Sequence, residues 1–169
     1  MFSNKKIILA SKSRSRAQIF RKNNIKFYQK KPRVKEEEIK KQNKNAGTKK
    51  LTEILAIEKA KSIIADNTLV VGSDTAIDLN GKTINKAKNM KEAKEKITNL
   101  SGREHFIFSS VACCYNKKII WKTTQKTTVK IRKLSKKETK EYIQACGKQI
   151  LGSVGCYQIE KNGPNIIEG

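Results

Sequence analysis

Four groups of residues in this 169-residue chain carry side chains able to do chemistry. The first is Leu69-Val70-Val71-Gly72-Ser73-Asp74-Thr75, three branched apolar residues followed by small and polar ones. A short β-branched run ending at a glycine reads as a buried strand. A carboxylate just past such a strand lies on the sheet rim, where α/β folds bind ligands. Asp74 therefore has two readings, a catalytic carboxylate or a turn cap. The second stretch, Ser11-Lys12-Ser13-Arg14-Ser15-Arg16, joins an apolar run to a basic helix. Backbone N–H groups at a helix start, with serine hydroxyls and arginine forks, suit a phosphate; a simple capped helix suits the same letters. It is not a Walker loop, for the glycines and the closing G-K-[ST] are missing. The third, Glu36-Glu37-Glu38, is the acidic cluster of a basic protein. It reads as a solvated helix start or as oxygen ligands for a divalent cation. The fourth comprises Lys59, on a helical segment, and Lys86, just beyond a hairpin; each earns interest only through its neighbours in space.

The elements that must position these groups follow from periodicity. Lys6 to Ala10 reads as a strand, Ala17 to Lys22 as a helix and Ile25 to Tyr28 as a second strand. A helix is expected over Leu51 to Ala65. Ala76 to Leu79 continues as strand, and Asn80-Gly81 is a hairpin turn returning through Lys82 to Ile84. Met90 to Leu100 is a helix stopped by Ser101-Gly102. Phe106 to Tyr115, Ile119 to Trp121 and Thr127 to Ile131 read as strands. Ser135-Lys136-Lys137-Glu138 is a capping box opening a helix to Cys146. Gly152 to Gly155 is a small-residue loop open to close backbone approach. Strands alternating with helices indicate one mixed α/β domain over residues 1–169.

Composition narrows the classes. No run of about 18 apolar residues exists to span a membrane, and the apolar stretch after Lys5-Lys6 is too short for a signal peptide; a cytoplasmic protein is expected. Thirty-eight Lys and Arg against 15 Asp and Glu give a net charge of +23. The lysines are dispersed, and Lys, Ile and Asn are abundant together, as a coding composition bias produces. The functional reading of the charge is attraction of anionic substrates and non-specific affinity for nucleic acid. Four cysteines, none in a C-x-x-C pair, and the one His105 read as free thiols without structural zinc.

In order and spacing the chain resembles the Maf family of nucleoside triphosphate pyrophosphatases. The resemblance rests on Leu9-Ala10-Ser11-Lys12-Ser13, Leu55-Ala56-Ile57-Glu58-Lys59-Ala60, Gly72-Ser73-Asp74-Thr75, Gly81-Lys82 with Lys86, Leu100-Ser101-Gly102-Arg103-Glu104-His105, Leu134-Ser135, Tyr142-Ile143 and Gly155-Cys156-Tyr157. It implies an elongated mixed β-sheet with flanking helices and a central cleft, as in Maf and ITPase-like proteins, and a possible homodimer. It also implies hydrolysis of a nucleoside triphosphate between its α and β phosphates. On it, Asp74 is the general base, Lys59 and Lys86 balance phosphate charge, and Glu36 with Asp74 holds Mg²⁺, Mn²⁺ or Co²⁺. Ser11, Ser13, Ser15, Arg16, Thr75 and Glu160 bind substrate. Three departures stand out. Arg14 and Ser15 replace the proline and first arginine of the family's S-x-S-P-R-R loop, and Glu160 stands where one branch has a glutamine. Thr75, by contrast, resembles the branch acting on dTTP and UTP. The chain ends at Gly169, before the family's usual closing segment. A rival from another class is a basic nucleic-acid-binding or nucleotide-binding protein with a vestigial active site. Against it, only 6% of residues are aromatic, and no basic, aromatic-interleaved platform is visible in the sequence.

Overall fold

A computed structural model describes residues 4–157 and 165–169. The chain forms two compact units: Met1–Asp74 with Ser109–Gln125, and Thr75–Phe108 with Lys126–Gly169. Strand β1 (Lys6–Ala10) leads through helix α1 (Arg14–Lys22) to β2 (Tyr28–Lys30), and then to α2 (Glu36–Gln42) and α3 (Thr48–Lys61). The long strand β3 (Thr68–Leu79) turns into β4 (Lys82–Ile84). After α4 (Met90–Leu100) come β5 (Glu104–Tyr115), β6 (Lys118–Lys130), α5 (Lys136–Cys146) and a 3₁₀ turn over Gly147–Gly152. The strand order is β2-β1-β3-β5-β6, with β4 paired to β3, which makes a six-stranded mixed sheet. β1 runs parallel to both β2 and β3, while β4 is antiparallel to β3. The fold is mixed α/β with flanking helices.

In the first unit, alternation along β3 decides what faces α3. Val70 is buried with Ile8, Ala10, Ala56 and Ala60. Because side chains alternate with period two, Gly72 and Asp74 leave the strand on Val70's side. A Cβ on Gly72 would collide with backbone atoms of Ala56 and Ala60, 2.9 Å from the Ala60 Cα. Only glycine allows α3 to lie this close to the strand.

In the second unit, α4 and α5 bury Ala93, Ile97, Leu100, Tyr142 and Ile143 with Ile77, Val129 and Ile131. Both helices start on side-chain caps. The Asn89 side chain accepts from the Glu92 N–H, and Ser135 and Glu138 form the expected reciprocal box.

Several boundaries differ from the sequence reading, for physical reasons. β3 does not end at Gly72 but runs unbroken into the expected Ala76–Leu79 segment, because its small polar residues remain extended and buried. β2 is Tyr28–Lys30, later than expected. Ile25 instead closes α1: its N–H donates to the Phe20 carbonyl at 2.9 Å, after Asn24 has turned left-handed at φ 54°. α3 starts three residues early and ends at Lys61, where Ser62 Oγ donates to the Lys59 carbonyl at 2.8 Å. The two expected strands around Trp121 and Val129 are one strand, β6, whose Thr-rich middle keeps strand propensity at a sheet edge. The Gly152–Gly155 stretch is closed at one end only: a Cβ on Gly155 would strike the Tyr157 ring and Ile77, while Gly152 has open space around it.

Candidate active site

The parallel register between β1 and β3 ends at Ala10↔Gly72. Asp74 thus sits inside β3 but two residues beyond the end of its neighbour. The sequence reading placed it past the strand's end. The strand that ends there is β1, and the serine loop leaves from that point.

Around Asp74 the first unit assembles four charges. Lys59 Nζ donates to Asp74 Oδ1 at 2.7 Å and pairs with Glu36 Oε1 at 3.0 Å. The Lys59 side chain is only 7% exposed and that of Asp74 12%. Lys59 reaches Asp74 because Ala56 and Ala60, its neighbours on α3, pack on Gly72. Glu36 is the first residue of α2, where its charge suits the helix dipole. The acidic run divides. Glu37 and Glu38 pair with Lys40 and Lys35 on an exposed surface, while Glu36 turns toward Lys59. Arg16 is the fourth group. Burial lowers its pKa from the ordinary arginine value, and the charges of Asp74 and then Glu36 oppose that shift. Two cations face two carboxylates; Lys59 and Asp74 are buried enough that each needs the other, while the Glu36 side chain stays partly exposed.

The serine loop is ordered by its own hydroxyls. Ser11 is buried; its Oγ accepts from the Ser13 N–H at 3.1 Å and from Arg16 Nη1 at 3.4 Å. Ser13 is the N-cap of α1, accepting from the Arg16 N–H at 3.3 Å. Gln29, which the sequence did not single out, donates from Nε2 to the Ser11 carbonyl at 2.9 Å. Ser15 is exposed in the first turn of α1. Ser11, Ser13, Arg16, Glu36, Lys59 and Asp74 therefore all belong to the first unit.

Thr75 and Lys86 belong to the second unit. Thr75 is half-buried in β3, and Lys86 is exposed between β4 and α4. Glu160 lies outside the described residues. The second unit also holds a pair that periodicity could not reveal. His105, 1% exposed, lies 2.6 Å through Nε2 from the Tyr157 hydroxyl. Its Nδ1 is buried without a partner among the described residues, and desolvation lowers its pKa.

No group of three or more His, Cys, Asp or Glu side chains with metal-site geometry occurs among the described residues. Glu36 and Asp74 converge on one ammonium, which engages one oxygen of each. One or two carboxylates, completed by substrate phosphates and water, are what Mg²⁺ commonly uses. The donor chemistry fits such an ion.

The family described as Maf-like protein matches residues 6–169. A 7-methyl-GTP pyrophosphatase of Bartonella henselae is 35% identical over 96% of this chain and 83% of its own length. A nucleoside triphosphate pyrophosphatase of Pelagibacter ubique is 32% identical over 98% of this chain and 88% of its own. The solved Staphylococcus aureus Ham1 protein aligns at a TM-score of 0.44 and 15% identity, over 75% of this chain and 72% of that one. No helix among the described residues is long and apolar enough to cross a membrane.

Proposed function

We propose that this chain, which belongs to the Maf-like family, hydrolyses nucleoside triphosphates to a monophosphate and pyrophosphate in the cytoplasm. The observation that carries the reading is Asp74, a nearly buried carboxylate two residues past the end of β1 and held by Lys59 at 2.7 Å.

The chemistry follows from the charges. A net charge of +23 draws an anionic substrate in. Arg16 and the N–H groups at the start of α1 receive phosphate oxygens. Asp74 takes a proton from a water directed at the α-phosphorus. A bond forms from that water oxygen to phosphorus, the bond to the bridging α–β oxygen breaks, and pyrophosphate departs with the electron pair. Lys59 fixes Asp74 in place and offsets charge growing on the phosphates. A divalent cation held by Glu36, Asp74 and substrate oxygens would neutralise phosphate charge further. Ser15, Thr75 and Glu160 bear on the choice of base. With relatives named for 7-methyl-GTP, a methylated guanine nucleotide heads the substrates to try.

The test is pyrophosphate release from 7-methyl-GTP, GTP, dTTP and UTP, each with Mg²⁺, Mn²⁺, Co²⁺ or chelator. Asp74→Asn keeps the shape and the hydrogen-bonding reach but removes the base. We expect kcat to fall by about a thousandfold with an unchanged circular dichroism spectrum. Undiminished turnover removes Asp74 from the mechanism.

A further inference from the structure

On the first unit, beyond the Asp74 cluster, lies a cavity of about 430 Å³ lined by Lys30, Lys31, Arg33, Ser62, Ile63 and Ile64. Among the described residues, three cations and no carboxylate line it. None of the three forms an ion pair among the described residues. A backbone-to-side-chain contact shapes it: the Arg33 N–H donates to Ser62 Oγ at 3.0 Å, which pins the segment after β2 to the end of α3. The C-terminal end of α3 contributes only about half a negative charge, against three full positive ones.

An aromatic ring extends this surface. β2 is an edge strand, exposed at all three of its residues. Ile8 pairs with Tyr28 in the parallel register and faces α3, so Tyr28 and Lys30 stand on that same face. Lys6, two residues before Ile8, joins them, its Nζ 4.6 Å from the centre of the Tyr28 ring. Tyr28 is 59% exposed and Ile64 75%. The face therefore presents a half-bare ring under an ammonium, a row of unpaired cations and an apolar floor. The sequence hides this because Lys6 and Tyr28 meet only through strand pairing.

We propose that this face binds single-stranded nucleic acid, with phosphodiesters on Lys30, Lys31 and Arg33 and a base stacked on Tyr28. A cation-lined groove tracking the backbone beside an aromatic platform is the usual means of sequence-tolerant strand binding. A lone phosphate would need neither the ring nor cations spread along β2 and beyond it. The site is separate from nucleotide hydrolysis and does not depend on that activity.

The experiment measures fluorescence anisotropy of a labelled 15-nucleotide oligouridylate with the whole chain across a salt series. The triple variant Lys30→Gln, Lys31→Gln, Arg33→Gln is compared with a control triple, Lys91→Gln, Lys94→Gln, Lys136→Gln, drawn from exposed lysines of the second unit. Both remove three charges, and thermal melts confirm that both fold. The cavity triple should bind about tenfold more weakly and lower the salt slope by about 2, while the control changes affinity by less than about threefold. Tyr28→Ser alone should weaken binding by about tenfold. Pyrophosphate release by the cavity triple should match the parent; were the parent inactive, the binding measurement would still decide the matter. Equal losses in the two triples would reduce the effect to net charge and overturn the proposal. So would inorganic tripolyphosphate competing as well as the oligonucleotide at equal phosphate concentration.

Discussion

Cations near the C-terminal end of α3 are treated in opposite ways. Lys59, in the last turn of α3, is buried and meets two carboxylates, at 2.7 and 3.0 Å. One turn later, Ser62 borders a cavity whose Lys30, Lys31 and Arg33 meet none among the described residues. Ser62 touches both regions, donating to the Lys59 carbonyl and accepting from the Arg33 N–H. Burial explains the difference. A buried ammonium without a counter-charge costs several kcal/mol, so the Lys59 site must close on itself. Exposed cations are solvated and can stay unpaired until an anion arrives. The net charge of +23 is thus functionally uneven: neutralised around Asp74, left open beside β2.

The largest expected effect tests the closed half of this contrast. Lys59→Met should remove about 3 kcal/mol from stability in urea unfolding, because Asp74 and Glu36 lose their shared partner. Glu36 is 40% exposed, so most of that loss belongs to Asp74. A loss no greater than that of a lysine exchange in the cavity would erase the distinction. Gly72→Ala comes next. Its Cβ has no room against the Ala56 and Ala60 backbone, and the displaced α3 would carry Lys59 away from Asp74. About 2 kcal/mol should be lost, with pyrophosphate release falling beyond what stability explains. Gly47→Ala, at the α3 N-cap with φ −62° and open space around it, should leave both stability and turnover near the parent values.

Local signals were legible wherever the chain itself closes the contact. Asn80-Gly81 turned as read, and Ser135 with Glu138 formed the expected box. The β1 strand and the helix over Met90 to Leu100 also stand at their expected bounds. What failed was the inference from composition to an end. Gly72-Ser73-Asp74 looked like a stop because small polar residues usually end strands; here tertiary burial keeps them extended. The Val70-Gly72-Asp74 alternation was available in the letters and would have aimed Asp74 at a helix. The division of Glu36 from Glu37 and Glu38 was not readable, since it depends on α2 presenting its first residue to α3. Nor was the role of Gln29, which depends on parallel pairing across 18 residues. The open cavity is harder still, for absence of a partner is a property of space and leaves no mark on spacing.

The smallest expected effect tests the open half. Lys31 is exposed beside Lys30 and Arg33, so Lys31→Gln removes a like charge from a place with no carboxylate to lose among the described residues. The sign should be stabilising, by less than about 0.5 kcal/mol. Because the gain comes from relieved repulsion through water, it should be largest near 0.01 M salt, where the screening length is about 30 Å. It should vanish near 1 M, where that length is about 3 Å. Paired urea titrations at the two salt concentrations read both sign and screening. A destabilisation of about 1 kcal/mol that persists at high salt would mean that Lys31 holds a partner within the fold. The cavity would then be a second closed site rather than one left for an incoming anion.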